Sequence, residues 1–272
     1  GSVKEAGVID DFDQNPANNN TPAVAVLAAN GTLVGSDADD NAVITWTGNA
    51  SGVYGEFTVD NNGNWTYTLN DSALVDALAS GESHLEVFTV TLTDQFGAFT
   101  TQDVTITVNG TNDIPVLTIN DTAGAVTEDD ATPTLSDSGA LSFTDVDNGD
   151  SHSISFAHVG DVVWSGGALT QGQIDAFIAG FSADSDSWDY AVLNSLTQFL
   201  SEGETITLSF DVTVTDSFGA TDTETVNITI NGDNDTPVIT VNDGEDSGSV
   251  KEAGVIDDFD QNPANNNTPA VA

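Results

Sequence analysis

Residues 248–272 repeat residues 1–25 without a single change, at a spacing of 247 residues. An identity of that length is not chance, so the chain holds one full period of a longer array and the opening of the next. A weaker repeat lies inside the period. Gly31, Leu33, Asp37 and Asp39 match Gly139, Leu141, Asp145 and Asp147 at an offset of 108. Further on, Trp65 and Tyr67 match Trp188 and Tyr190, Phe88 matches Phe210, Asp94 and Gly97 match Asp216 and Gly219, and Asn112, Asp113 and Pro115 match Asn234, Asp235 and Pro237. These later offsets are 122 or 123, because the second unit gains roughly 15 residues between Phe156 and Trp188. Two homologous modules therefore alternate. Module A is residues 1–113, module B is 114–235, and 236–272 begin the next module A.

Each module reads as all-β. The segments 88–93 and 104–108 alternate apolar and polar residues with period two, as half-buried antiparallel strands do. Residues 57–59 and 65–69 flank Asp60, Asn61, Asn62, Gly63 and Asn64, a hairpin signal. Short strands with turns at regular spacing imply a β-sandwich. Two short helices are expected within it. One covers 73–78. The other lies in the module B insert, where Thr170 and Gln173 have the spacing of a capping box and Ile174, Phe177, Ile178 and Phe181 fall at helical intervals.

The charge balance is extreme: 44 acidic residues against two lysines, a formal net charge of −42. Nucleic acid is excluded as a direct partner, because phosphate binding needs Lys or Arg to displace counterions. Direct contact with an anionic membrane surface is disfavoured for the same reason. Carboxylates at this density repel one another in a compact state, and divalent cations would relieve the repulsion. Most of the acids are expected to be simple solvated surface. The chain has no Cys, so disulfides cannot staple it. It also has no apolar run of about 18 residues that could span a membrane.

Three acidic motifs recur at matching places in both modules. One is D-x-D, at Asp37 and Asp39 and again at Asp145 and Asp147. Another is an Asp that closes a strand shortly before Phe-Gly, at Asp94 and Asp216. The third is the inter-module linker N-G-x-N-D-x-P, with Asn112 and Asp113 in one copy and Asn234 and Asp235 in the other. A glutamate near each module start, Glu5, Glu128 and Glu252, is a fourth candidate. Ca2+ takes six to eight oxygens from carboxylates, amide carbonyls and the backbone. Alternating acids in an extended turn can aim two carboxylates at one point, and Asn adds a neutral oxygen. A lone D-x-D is also a common turn sequence; the joint recurrence of three motifs at module edges favours ligation. The loop at Asp145 is not an EF-hand, because its sixth position is Asp150 rather than Gly.

The segments around Tyr54 to Phe57, Asn64 to Leu69, Gly81 and Glu82, and Asn109 to Val116 resemble VCBS-type repeats, which occur in large RTX adhesins exported by type I secretion. The acidic motifs are similar to those of cadherins: D-x-D, a late Asp and an N-D-x-P linker. The resemblance implies tandem Ig-like or cadherin-like β-sandwiches in an extracellular, bacterial cell-surface shaft whose junctions bind Ca2+. Carried over residue by residue, it implies one complete junction here, Asn112 and Asp113 with Asp145, Asp147 and Asp216.

The expected function is a calcium-stiffened spacer supporting cell adhesion and biofilm formation, with neighbouring modules of the same array as partners. Catalysis is not expected: His84, His152 and His158 have no metal-ligand spacing and none recurs between modules. The alternative is a glycan- or protein-binding adhesin module using Trp164 and the module B insert. Against it, Trp65, Tyr67, Trp188 and Tyr190 alternate along strands as core residues do. Finally, module B opens with a strand after Pro115 that reappears after Pro237, and module A lacks its counterpart. Asp37, Asp39 and Asp94 are thus expected to form half a site, and the segment from Pro237 onward to dock head-to-tail on module A of a neighbouring copy.

Overall fold

The computed structural model describes residues 1–7, 24–242, 245 and 247–250. Residues 1–234 form one compact unit and 235–272 a second. In chain order the first unit opens with β1 (Ser2–Lys4), β2 (Ala28–Thr32), β3 (Ile44–Thr47), β4 (Ala50–Ser51), β5 (Gly55–Val59) and β6 (Asn64–Leu69). A single helical turn follows, α1 (Ala73–Asp76), and then the long strands β7 (Ser83–Asp94) and β8 (Phe99–Asn109). They build two four-stranded sheets, ordered β1-β8-β7-β3 and β2-β6-β5-β4.

The alternation that marks these strands in the sequence is the alternation of their burial. Along β6, Trp65, Tyr67 and Leu69 face inward and the threonines between them face out. Phe57 stacks on Phe88 with ring centroids 4.8 Å apart, joining the two sheets, and Val90, Val104, Ile106 and Val108 complete the core. Each such side chain contributes about 1.5–3 kcal/mol through burial. The β5–β6 turn closes as the sequence implies. Asp60 Oδ1 accepts from the N–H groups of Asn62 (2.8 Å) and Asn64 (2.9 Å), and Gly63 takes the positive φ of 81° that the turn demands.

The second sandwich repeats this plan. Its elements are β9 (Val116–Ile119), β10 (Ala123–Thr127), β11 (Thr134–Thr144), β12 (Ser153–Trp164), α2 (Gln171–Ile178), β13 (Phe181–Ala183), β14 (Ser187–Leu193), a 3-10 turn at Asn194–Leu196, β15 (Thr205–Thr215) and β16 (Thr221–Asn231). The sheets are β10-β16-β15-β12 and β13-β14-β11-β9, and they enclose a core separate from the first. In both sandwiches an early strand pairs in parallel with the last one: β1 with β8, and β10, the second strand of its sandwich, with β16. The repeated glycines before each D-x-D are forced by the neighbouring indole. A Cβ on Gly31 would lie 2.6 Å from the Trp65 ring, and one on Gly139 2.4 Å from Trp188 Nε1.

Two differences separate the sandwiches. The first is β9, which pairs with the end of β11, Leu117 opposite Phe143 and Ile119 opposite Leu141; β2 has no corresponding neighbour among the described residues. The second is the insert. Thr170 and Gln173 form the expected capping box, and α2 drives Phe177 into the core. The helix ends at Ile178, and Phe181 belongs to β13, where it pairs with Tyr190. The helical spacing from Ile174 to Phe181 thus spans a helix and the strand after it. Phe181 stacks on Phe210 at 4.1 Å.

In the second unit, the described residues form no strand. Asn242 and Glu245 close a local turn, Glu245 N–H donating to the Asn242 carbonyl at 3.0 Å.

Candidate metal centre

After β8 the chain crosses into the second sandwich through residues 110–115. Two loops of that sandwich meet the crossing. At the end of β11 the Asp147 N–H donates to Asp145 Oδ1 (3.0 Å), which turns both carboxylates to one side. At the end of β15, Asp216 Oδ1 accepts from the N–H groups of Phe218 (2.8 Å) and Ala220 (2.9 Å), leaving Oδ2 free to face the linker. The linker answers with Asn112 Nδ2, which donates to Asp216 Oδ2 at 2.8 Å, and with the Asp113 N–H, which donates to Asp147 Oδ2 at 2.7 Å. From the first sandwich, Glu5 follows β1 and accepts the Thr111 N–H at 2.7 Å. The structure therefore brings Asn112, Asp113, Asp145, Asp147 and Asp216 together, and adds Glu5.

It also adds three residues that the motifs did not single out. Carboxylate oxygens of Asp145, Asp150 and Asp216 lie within 4.8 Å of one another. Asp76, on α1, is close enough that its charge disfavours ionisation of Glu5 and Asp113. The Asn148 N–H donates to the Ala77 carbonyl (3.2 Å), so the α1 segment meets the D-x-D loop directly. His152 Nε2 sits 2.8 Å from Asp145 Oδ2. Asp150 follows the repeated motif closely enough to be found by extending it, but Asp76 and His152 have no counterpart in the other module.

The cluster is largely buried, and its acids crowd one another. Glu5 and Asn112 are each 1% exposed, and Asp147 and Asp216 each 6%. Burial, followed by the neighbouring Asp113, Asp147 and Asp76, pushes the Glu5 carboxyl up to about 8 against one hydrogen bond from Thr111 that lowers it. Burial likewise raises Asp147 to about 7 and Asp113 to about 6, and it raises Asp150. Glu5 Oε2, Asn112 Oδ1, Asp147 Oδ1 and Asp150 Oδ2 are buried with no hydrogen-bond donor. A structural buried acid looks different. Glu86, inside the first sandwich, is held by the Tyr67 hydroxyl and by the N–H groups of Val53 and Tyr54. Orphaned buried acceptors cost free energy unless something positive completes them. Oxygen-only donors, several of them carboxylates, fit a hard cation of the Ca2+ type.

The remaining candidates occupy the outer ends of the two sandwiches. Asp37 accepts the Asp39 N–H at 3.0 Å, and Asp94 accepts from Phe96 (2.7 Å) and Ala98 (2.9 Å). This is the hydrogen-bond template of Asp145, Asp147 and Asp216, but Asp37 and Asp39 are exposed. What buries the central cluster is its linker. At the far end of the second sandwich, Glu128 is buried and accepts the Asp233 N–H at 3.1 Å, as Glu5 accepts that of Thr111. Asn234 ends the first unit and Asp235 begins the second. Glu252 lies outside the described residues. The aromatic residues of the insert belong largely to the core: Trp188 and Tyr190 are fully buried, and Trp164 packs edge-on against Phe199 while its Nε1 donates to Glu204 (3.2 Å).

Residues 8–110 match a family model described as a bacterial cadherin-like domain. The match falls on the first sandwich, which is thus similar to a bacterial cadherin-like domain; the second sandwich repeats its two-sheet architecture. Solved structures similar to the chain include the protocadherin gammaB4 extracellular domain (16% identity, 69% of this chain, 26% of that one, TM-score 0.37). Others are the human desmocollin-1 ectodomain (11%, 85%, 38%, 0.33) and mouse cadherin-23 EC22–24 (16%, 70%, 53%, 0.34). The chain thus spans between about a quarter and about a half of their lengths. A comparison with curated proteins finds no match. No helix among the described residues is long and apolar enough to cross a membrane.

Proposed function

We propose that this chain is a calcium-stiffened spacer from an extracellular bacterial adhesin, with residues 1–113 and 114–235 as alternating modules and 236–272 as the start of the next. The observation that carries the reading is the set of buried acceptor oxygens converging from Glu5, the linker and the second sandwich with no donor to satisfy them. Ca2+ held by Glu5, Asn112, Asp113, Asp145, Asp147, Asp150 and Asp216 would supply the missing positive charge, and Asp76 would add to the attraction. Because the ligands come from both sandwiches and the linker, binding would lock the crossing against bending. Without the ion, repulsion among the acids would loosen it.

A spacer gains from copying, and the perfect repeat of residues 1–25 at 248–272 accords with that role. The long-range setting is an adhesin of the RTX kind, secreted by a type I route, holding a binding tip away from the cell and supporting biofilm. The reading requires Ca2+ affinity in the extracellular range, about 10⁻⁴–10⁻³ M or tighter. Small-angle scattering of the full chain tests it: one elongated particle is expected in calcium and a broader ensemble in chelator. Superimposable profiles in the two conditions, with no heat of calcium binding, would refute it.

A further inference from the structure

Where glycine follows asparagine, the backbone can attack its own side chain, because glycine has no Cβ to block the approach of its nitrogen to the asparagine amide carbon. The chain has five such pairs, at Asn30, Asn62, Asn109, Asn148 and Asn231. The reaction needs a glycine N–H that is free to lose its proton, and a backbone free to swing it toward the side chain. The fold therefore decides which of the five can react.

Four of them are held. The Gly63 N–H donates to the Asp60 carbonyl (3.0 Å), that of Gly110 to the Glu82 carbonyl (3.1 Å) and that of Gly232 to the Glu204 carbonyl (2.9 Å). Two of the amides are tied as well: Asn109 Nδ2 donates to Ser2 Oγ and to the Val3 carbonyl, both at 2.9 Å, and Asn231 Nδ2 to the Val126 carbonyl at 3.2 Å. Gly31 is fixed in β2 opposite Trp65, whose ring lies 2.6 Å from a Cβ built there. Asn148 and Gly149 differ from all of these. Both are exposed, Gly149 takes a positive φ of 85°, and a Cβ built on it meets nothing within 4 Å. Neither the Gly149 N–H nor the Asn148 side chain has a hydrogen-bond partner among the described residues. Only the Asn148 N–H is held, by the Ala77 carbonyl at 3.2 Å.

We infer that Asn148 is a site of spontaneous deamidation, with water as the only co-reactant. The Gly149 nitrogen gives up its proton and bonds to Asn148 Cγ. The Cγ–Nδ2 bond breaks, Nδ2 leaves as ammonia, and a succinimide ring remains. Water then opens the ring at one of its two carbonyls, leaving aspartate or isoaspartate, with nothing oxidised or reduced. Either product adds a negative charge between Asp147 and Asp150, and isoaspartate also lengthens the main chain between them by one carbon. The loop that aims Asp145, Asp147 and Asp150 at the linker is thereby reset, so an aged chain holds a cation at the junction less well. That consequence rests on the calcium reading; the deamidation itself does not.

The full chain is incubated at pH 8 in chelator, in excess calcium and in concentrated urea. Peptide mass spectrometry follows the change of amide to acid at each of the five pairs, and enzymatic methylation detects isoaspartate. In the folded chain Asn148 should react first, roughly fivefold or more ahead of the pairs whose glycine N–H must first be released from a hydrogen bond. In urea the five should react at comparable rates. Calcium should slow Asn148, and calorimetry should show weaker calcium binding by the aged chain than by an Asn148→Ser chain aged alike. Equal rates in calcium and chelator, with Asn148 still ahead, support the deamidation site and count against the calcium reading. If Asn148 reacts no faster than the other four in the folded chain, the proposal is overturned whether or not calcium binds. A lead that persists unchanged in urea overturns it too, since the selectivity would then lie in the sequence and not in the fold.

Discussion

Replacing Asp147 by Asn separates a metal ligand from a merely structural acid, because the two roles predict opposite signs in two buffers. The amide keeps the size of the carboxyl and can still accept the Asp113 N–H that Asp147 Oδ2 accepts at 2.7 Å. What it loses is charge. In calcium-free protein, burial pushes the Asp147 carboxyl from 3.8 up to about 7, so above neutral pH its ionisation opposes folding. That elevation is a change in proton affinity of roughly a thousandfold, about 4 kcal/mol. Water entering the junction and the sharing of the penalty with Glu5 and Asp113 reduce what one substitution recovers to about 1–2 kcal/mol. For modules of this size that raises Tm by about 3–8 °C in chelator at pH 8. In calcium the sign reverses. A ligand at a hundred times its Kd stabilises the native state by about 2.7 kcal/mol, and the variant forfeits most of this. Scanning calorimetry of wild type and variant at pH 8, with chelator and then with excess calcium, reads both shifts. A variant destabilised equally in the two buffers would show that Asp147 is an ordinary structural acid, and the calcium reading of the junction would fall with it.

The other predictions address pH, packing and the insert. Glu5, Asp147 and Asp113 all have folded values above their ordinary ones, up to about 8, 7 and 6. Their contribution to stability is therefore fully present below about pH 4 and lost as pH rises through 6 to 8, so in chelator Tm should fall across that window, and excess calcium should flatten the slope. Gly139→Ala places a methyl group against the buried Trp188 ring, 2.4 Å from Nε1, and should cost about 1–3 kcal/mol in urea unfolding followed by tryptophan fluorescence; a neutral result would mean that the indole can move. Phe177→Ala should cost about 3–5 kcal/mol and lower the second sandwich's transition alone, since Phe177 is fully buried in that core.

The strands were legible because a half-buried strand writes its burial into the sequence every second residue, as Trp65, Tyr67 and Leu69 do along β6. The central acids were legible for a different reason: Asp145, Asp147 and Asp216 stand in turns whose hydrogen bonding is reproduced at Asp37, Asp39 and Asp94, so the same turn template appears in both sandwiches. Asp76 was hidden. It reads as the polar face of a short helix, and only the return of the Asn148 loop against Ala77 makes it a neighbour of the site. His152 was hidden too, because its partner Asp145 is reached through a turn rather than through periodicity. Phe181 was misassigned to the helix because an inward-facing strand residue just past a helix end falls on the same spacing as the helix's next turn.

The parallel pairing of an early strand with the last one, β1 with β8 and β10 with β16, would have a mechanical consequence if the chain serves as the spacer proposed above. When such a module is pulled by its ends, neighbouring strands that run in the same direction are dragged past each other, so their hydrogen bonds are sheared together rather than unzipped one by one. Resistance of this kind is a property of the unfolding rate under force, not of equilibrium stability. Three residue pairs join β1 to β8, and five join β10 to β16. In a spacer under load, such a patch would rupture as a whole rather than bond by bond, so each sandwich would keep its length up to a threshold force and then release it as slack.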